Sequence, residues 1–294
     1  MPRAALLSIH ARVEGTHPST WEDPTLVQVW GPRFSTYAVA REDLAVFTLG
    51  RHPEVNKGRQ RAEDLADRLA DLLGEEGMTQ SEAGRALGVG NAIRYATTTG
   101  TLIIRWDGAR QPTVWSVPAP EIDPVAARLE LARRYLHVLG PGTPEGFARW
   151  AGLKARRGAE TFELLASELT TVGTPVGDAL ILAEDGEPFR AVPGPVAPAR
   201  LLPSGDTFFL YWGADRELLV PDERRRSELW TSRVWPGALL IRGEVAGIWR
   251  RRRRAVTVYP WRRLTAAERQ SLEAEVSTLP LPDVDQVTVR WGTP

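Results

Sequence analysis

Five adjacent arginines, Arg250 to Arg254, are the densest concentration of one chemistry in this sequence. They lie where two short apolar segments, Glu244 to Arg250 and Arg254 to Tyr259, meet, which predicts a hairpin tip or wing rather than a disordered tail. Like charges crowded at a turn repel one another and are hard to bury, and a polyanion relieves that cost. A phosphate backbone is the natural partner, with a solvated loop as the alternative. A second basic group, Lys154, Arg156 and Arg157, opens a helical segment. It either contacts phosphate or is a solvated face paired with nearby acids. A third group, Asn91, Arg94, Tyr95 and Thr98, is expected on the surface of a short helix that follows a turn.

Other chemistries find no footing in the residue types. The chain has no cysteine, which excludes disulfides, thiolate zinc sites and cysteine nucleophiles. His10, His17, His52 and His137 share no metal-ligand spacing, so with no cysteine available a structural zinc is not expected. Gly140-Pro141-Gly142 follows one helical segment and precedes another, without the lysine of a phosphate loop or the strand of a dinucleotide fingerprint, and reads as an inter-helix turn. No Gly-x-Ser-x-Gly elbow occurs, and among 37 carboxylates spacing alone selects no general acid or base.

At 294 residues with net charge +0, the average composition argues against nucleic acid, but the charge is segregated. From Arg224 to Arg263 twelve arginines face only Glu228 and Glu244. Lys57 and Lys154 are the only lysines, an arginine bias that a GC-rich genome produces as readily as a preference for bidentate phosphate contacts. The apolar stretch Ala4 to Ile9 is too short for a signal-peptide core, and no stretch reaches the ~20 apolar residues of a membrane span. The expected location is cytoplasmic, with the nucleoid as the site when DNA is bound.

Four stretches of elements are expected to position these groups. Residues 1–58 read as a helix through Ala4 to Val13, a helix over about Asp23 to Trp30 with Asp23-Pro24 as cap and first turn, a strand Ser35 to Val39, and a helix from Arg41. Residues 59–120 read as a helix through Glu75 with Leu65, Leu69, Leu72 and Leu73 inward, a short helix opened by the Thr79/Glu82 capping box, a helix Asn91 to Thr99, and strands Leu102 to Trp106 and Thr113 to Val117 about a turn from Asp107 to Pro112. That order is a winged helix-turn-helix, whose last helix either faces a DNA groove or serves a protein-interaction scaffold. Residues 121–187 repeat the plan, with helices from Asp123-Pro124, from Thr143-Pro144 and over Lys154 to Leu169, then a strand Asp178 to Ala183. Residues 188–294 begin with a Pro-rich connection, 188 to 203. Strands Thr207 to Trp212, Ala238 to Arg242, Glu244 to Arg250 and Arg254 to Tyr259 follow, then a helix Thr265 to Leu279 and a strand Gln286 to Trp291. The fold expected is α+β: tandem winged-helix modules and a small β-barrel-like C-terminal domain.

Several stretches resemble the winged-helix DNA-binding family that includes the alkyl-purine and interstrand-crosslink DNA glycosylases. They are Pro2 to Leu6, Trp21 to Val27, Trp30 to Arg33, Gly140-Pro141 with Phe147 and Trp150, Arg216 to Pro221, and Gly247-x-Trp249-Arg250-Arg251. The likeness runs in order along nearly the whole chain. It implies a channel for duplex DNA, adds Arg33 to the candidate DNA contacts, and implies hydrolysis of an N-glycosidic bond without a cofactor. The family's catalytic Gln-x-Gln or Gln-x-Asp element corresponds to a position just before Met1, and Gln28, in a different family segment, does not take its place. The chain also departs from the family after Arg33, where Phe34-Ser35-Thr36-Tyr37 stands for Gly-Thr-Leu-His.

Two explanations of the missing element are open: a start assigned too late, or a non-catalytic relative that binds DNA. The expected partner is double-stranded DNA, damaged or intact, with no membrane. Rival expectations are a transcription regulator or interaction scaffold built from the same modules, and a protein whose basic run binds acidic partners or RNA.

Overall fold

The computed structural model describes residues 2–54, 56–106, 110–192, 194, 196–281 and 287–292. Residues 107–109 of the expected turn, Gln286 at the head of the expected last strand, and two positions of the Pro-rich connection, 193 and 195, lie outside the described residues. The chain divides into two compact units, the first made mainly of Trp21–Val172 and Ala179–Asp185, the second of Arg3–Thr20, Gly173–Asp178 and Gly186–Pro294. The class is α+β, as expected. No helix among the described residues is long and apolar enough to cross a membrane.

Helix α1 (Pro2–His10) opens the chain and belongs to the second unit. The first unit continues with β1 (Leu26–Trp30), β2 (Thr36–Ala40) and α2 (Leu44–Leu49). The helix expected over Asp23 to Trp30 is therefore a strand. Leu-Val-Gln-Val-Trp is rich in β-branched and aromatic residues, which suit a pleated surface better than a helix. Asp23 does not cap a helix: its carboxylate accepts from the Thr25 amide (2.8 Å) and hydroxyl (2.6 Å), closing a local turn instead. The strand pairs on both sides and four of its five residues are buried, so the period-two alternation that marks a half-exposed strand is absent.

Next come α3 (Lys57–Leu73), β3 (Met78–Thr79), α4 (Gln80–Ala86), a 3-10 helix (Gly90–Thr99), β4 (Leu102–Arg105) and β5 (Thr113–Ser116). Thr79 and Glu82 form the expected capping box. The strands make one antiparallel sheet in the order β2-β1-β4-β5-β3. Against it pack Leu65, Leu69 and Leu73 of α3 and Ile93 of the 3-10 helix, with Leu102, Ile104 and Val114 from the strands. The helix expected over Asn91 to Thr99 exists but is wound tighter, and Thr98 is buried rather than on its surface, its hydroxyl donating to the Tyr95 carbonyl at 3.0 Å.

Helices α5 (Pro124–Leu139), α6 (Pro144–Ala151) and α7 (Ala155–Leu164) start where the sequence signals placed them, α5 and α6 capped by the Asp123 and Thr143 side chains. Tyr135, Phe147, Trp150 and Phe162 make their aromatic core, with ring centroids 5.3 to 6.4 Å apart. Helix α7 is shorter than the expected Lys154 to Leu169, because a 3-10 turn, Ala166–Glu168, carries the chain into β6 (Leu169–Thr174) and its partner β7 (Gly177–Leu182).

The second unit adds α8 (Gly186–Arg190), β8 (Ala199–Leu202), α9 (Arg216–Leu219), α10 (Glu223–Leu229), β9 (Gly237–Ile241), β10 (Glu244–Arg252), β11 (Ala255–Pro260), α11 (Ala266–Ser277) and β12 (Thr288–Trp291). Its sheet runs β12-β11-β10-β9-β8, and among the described residues β8 and β12 are edges that do not pair with each other, so the expected barrel is an open sheet. The physical reason is that both faces are covered. Leu201, Leu239, Trp249, Val256 and Val258 pack with Leu272 and Val276 of α11, while the alternating Leu202, Ala238 and Leu240 pack with Phe209, Leu229 and Trp230. The strand expected over Thr207 to Trp212 is instead a 3-10 turn, Thr207–Phe209, followed by irregular chain. Asp206 caps that turn and is itself anchored, its fully buried side chain accepting from Ser8 (2.6 Å) and from Arg12 (2.7 and 3.0 Å), which raises the Arg12 pKa.

Helix α11 has a capping box, Thr265 with Glu268, and Arg262 donates two bonds to the Glu268 carboxylate (2.7 and 2.9 Å). Those Arg262 bonds first, then the Thr265 amide, hold the Glu268 carboxyl down at about 2, below its ordinary 4.5. A folded-state value below the unfolded one favours the fold above pH 4.5, and this contribution is lost as pH falls through about 2. In acid titrations of stability, Glu268→Gln is expected to remove that part of the acid limb, and Thr265→Ala to cost about 1 kcal/mol at neutral pH.

Candidate nucleic-acid interface

In the second unit the five-arginine run lies at a hairpin tip, as the sequence indicates. Strands β10 and β11 are in register from Gly247↔Pro260 to Arg252↔Ala255, which leaves Arg253 and Arg254 as the two turn residues. Arg253 has φ 54, a left-handed conformation uncommon for a residue with a Cβ. Arg250 donates to the Val234 carbonyl (3.3 Å) and Arg251 to the Arg253 carbonyl (2.6 Å). Arg250, Arg252, Arg253 and Arg254 are exposed and make no ion pair among the described residues.

Four other arginines of the basic segment are neutralised by carboxylates. Arg224 pairs with Asp222 (3.3 Å), Arg225 with Glu228 (2.8 Å), Arg226 with Glu217 (3.7 Å) and Arg262 with Glu268. Arg216 lies over the rings of Trp230, Trp212 and Trp235, 4.9 to 5.8 Å from their centroids, and donates to the Tyr211 carbonyl. The tip is therefore the densest group of unpaired cations in the segment, while Arg233, Arg242 and Arg263 are exposed singly elsewhere in it without an ion pair among the described residues.

The first unit carries the other predicted residues, in two places. At the start of α7, Lys154 is exposed and makes no cap bond, whereas Arg156 donates to both Glu54 oxygens (2.8 and 2.9 Å) and Arg157 lies 3.7 Å from the same carboxylate. Glu54, distant in sequence, thus occupies two of the three cations.

The second place is built where β1 ends. The chain turns through Gly31-Pro32-Arg33-Phe34, closed by the Phe34 amide on the Gly31 carbonyl (2.9 Å), and both Arg33 and Phe34 have φ 57. Consecutive left-handed residues with side chains cost about 1–3 kcal/mol each and persist only where their surroundings impose them. Here the surroundings are Arg51 and the end of α6. Arg51 is 6% exposed and donates to the carbonyls of Trp30 (3.0 Å), Gly31 and Ala151 (3.1 Å), with its guanidinium 4.7 Å from the Phe34 ring centre. Burial pushes its pKa down to about 10, so it stays charged at neutral pH. Gly152 ends α6 with φ +75 and approaches the Arg33 backbone so closely that a Cβ there would meet the Arg33 amide nitrogen at 3.3 Å.

Arg94 and Tyr95 of the 3-10 helix face this turn. The Tyr95 ring meets Phe34 edge-on at 4.9 Å and 88°, and Arg94 lies 5.9 Å from the Phe34 ring and 5.8 Å from Tyr95. The Arg94 Nε is buried without a hydrogen-bond partner. No carboxylate pairs with Arg51 or Arg94 among the described residues. Arg33 is exposed and donates to the Arg149 carbonyl (3.2 Å), while Asn91 is exposed and accepts from the Gln80 amide (3.2 Å).

The fold thus sets Arg94 against Phe34 in the turn that carries Arg33 and keeps Asn91 on the same helical segment as Arg94. Sequence reasoning missed Arg51 and Phe34. Nothing in spacing marks Arg51, but the departure from the family pattern falls on Phe34, where a side chain replaces glycine at a left-handed position. No group of three or more histidine, aspartate or glutamate residues that could hold a metal occurs among the described residues. The chemistry of both clusters is recognition of anions and rings.

Comparison with known proteins bears on what is recognised. A family model described as DNA glycosylase AlkZ-like matches residues 1–279. An interstrand DNA cross-link repair glycosylase from Streptomyces sahachiroi is 22% identical over 259 residues, which are 79% of this chain and 63% of that protein; the chain thus matches less than two thirds of its relative's length. The solved structure of the Streptomyces sahachiroi DNA glycosylase AlkZ has the same fold, with a TM-score of 0.80 at 19% identity over 99% of this chain and 89% of that one.

Proposed function

The chain belongs to the DNA glycosylase AlkZ-like family, and from that membership we propose that it binds duplex DNA and takes part in repair of alkylated or crosslinked DNA. The observation that carries the binding half is the β10–β11 tip, where five adjacent arginines are presented at a two-residue turn and four of them make no ion pair among the described residues. Arginines at such a tip neutralise phosphates and release counterions without reading sequence, which suits an enzyme that meets lesions in any context.

The element order supports a modular reading. Helices α3 and α4, the 3-10 helix and the β4–β5 ribbon make one winged-helix module over 59–120, and α5, α6, α7 and the β6–β7 ribbon make another over 121–187. Residues 1–58 form a partial first module whose β1 pairs with β4, and 188–294 form the C-terminal module that carries the basic hairpin. Asn91, Arg94, Arg33 and the start of α7 are secondary DNA contacts, the last available once phosphate displaces Glu54.

The reaction is hydrolysis of the N-glycosidic bond: water adds to the deoxyribose carbon as the damaged base leaves, and an abasic site remains. Duplexes bearing an alkylated purine or a crosslink, incubated with the protein and then heated in alkali, are expected to break at the lesion. Tight binding without breakage would make the chain a non-catalytic DNA-binding member. Sequence-selective binding to undamaged DNA would overturn the repair reading.

A further inference from the structure

We propose that the Arg33-Phe34 turn together with Arg94 and Tyr95 is a nucleotide subsite, in which the guanidiniums take a phosphate and the Tyr95 ring stacks on an unpaired base. The proposal rests on the duplex-binding reading and adds the DNA state recognised. Three observations, all within the first unit, lead to it.

The first is strain in a defined place. Phe34 holds a left-handed backbone that glycine would adopt freely, and the buried Arg51 pins the turn by donating to the Trp30 and Gly31 carbonyls. Such outliers are kept where a fixed ring position matters more than local ease.

The second is charge. Arg51 and Arg94 are within 6 Å of one phenyl ring, and neither is neutralised by a carboxylate among the described residues. The Arg94 guanidinium is placed by ring contacts and its Nε has no hydrogen-bond partner, so its donors are free to turn onto a phosphate oxygen.

The third is the ring itself. Tyr95 is 41% exposed although Phe34 supports it edge-on. An exposed aromatic ring beside arginine is the pairing that single-stranded nucleic-acid sites use, since every base has a face to stack. Paired bases are sheltered inside the duplex, so the ligand is a nucleotide of a DNA strand whose base lacks a partner.

The test compares two duplexes of equal length, one fully paired and one with a single unpaired central nucleotide, by fluorescence anisotropy. The wild type is expected to bind the second about tenfold more tightly, the scale of one base stacked on one ring. Tyr95→Ala is expected to abolish that preference while fully paired duplex binding stays within about twofold, Arg94→Gln to abolish it and also to weaken paired-duplex binding through the loss of one cationic contact, and Tyr95→Phe to retain it. Equal wild-type affinity for both duplexes, or a preference that survives Tyr95→Ala, overturns the subsite and leaves duplex binding standing. Failure of the wild type to bind either duplex overturns the duplex-binding reading and the subsite with it. A free deoxynucleoside monophosphate that competes at micromolar concentration would make this a site for free nucleotides, overturning its assignment to DNA.

Discussion

A variant carrying Arg251→Ser, Arg252→Ser, Arg253→Asn and Arg254→Ser is expected to bind duplex DNA roughly 10² to 10³-fold more weakly at 0.1 M salt and with a much shallower salt dependence. Each phosphate neutralised contributes about 0.9 to the slope of log affinity against log salt, so losing three or four contacts lowers the slope by about 3. Asparagine is chosen at position 253 because φ 54 must be kept, and asparagine tolerates that region where serine does not. The fold should be untouched, since Arg252, Arg253 and Arg254 are exposed and Arg251 donates to the Arg253 carbonyl of the neighbouring turn. Anisotropy titrations from 50 to 300 mM salt measure the slope directly. An unchanged slope would move the duplex contact away from this hairpin, and a changed melting temperature would show that the hairpin also serves the sheet.

The largest effect on stability is expected from Arg51. Replacing it with leucine fills part of the volume but removes every donor the guanidinium supplies to the carbonyls of Trp30, Gly31 and Ala151. The Gly31 carbonyl keeps its bond from the Phe34 amide, so the loss is concentrated on the other two acceptors. Buried acceptors left without donors cost about 1–3 kcal/mol each. Relief of an uncompensated buried charge offsets part of this. A net loss of about 2–4 kcal/mol is expected from denaturant titration of Arg51→Leu. Arg51→Lys keeps the charge without the planar fork that reaches several carbonyls, and should recover less than half. A neutral result for Arg51→Leu would mean that the Gly31–Phe34 turn holds its shape without this residue, and that Phe34's conformation has another cause.

Much of the architecture was legible in the sequence because its signals are local. The Thr79 and Thr265 capping boxes and the starts of α5 and α6 each depend on residues three or four apart. The Arg242-Gly243 turn is likewise local: Ile241 pairs with Glu244 across it, and its two residues have φ 51 and 85. The errors arose where partners from elsewhere in the chain decide. Leu26 to Trp30 became a strand because β2 and β4 flank it, and burial on both sides erased the alternation that announces strands. Thr207 to Trp212 reads as a strand by composition, yet Asp206, held by Ser8 and Arg12, turns the chain there.

Candidate contacts divide in the same way. By itself the sequence determined that five arginines stand at a turn between two strands, because charge density and strand alternation are both properties of neighbouring residues. It also determined the family, whose segments are matched in order along the chain. Only the tertiary structure decided which cations remain available. It set Glu54 against Arg156 and Arg157, about a hundred residues away, and gathered Arg51 and Arg94 from separate elements around one phenyl ring. Whether an arginine is neutralised depends on which carboxylate folding brings within a few ångströms, and that proximity is not written in any local stretch of chain.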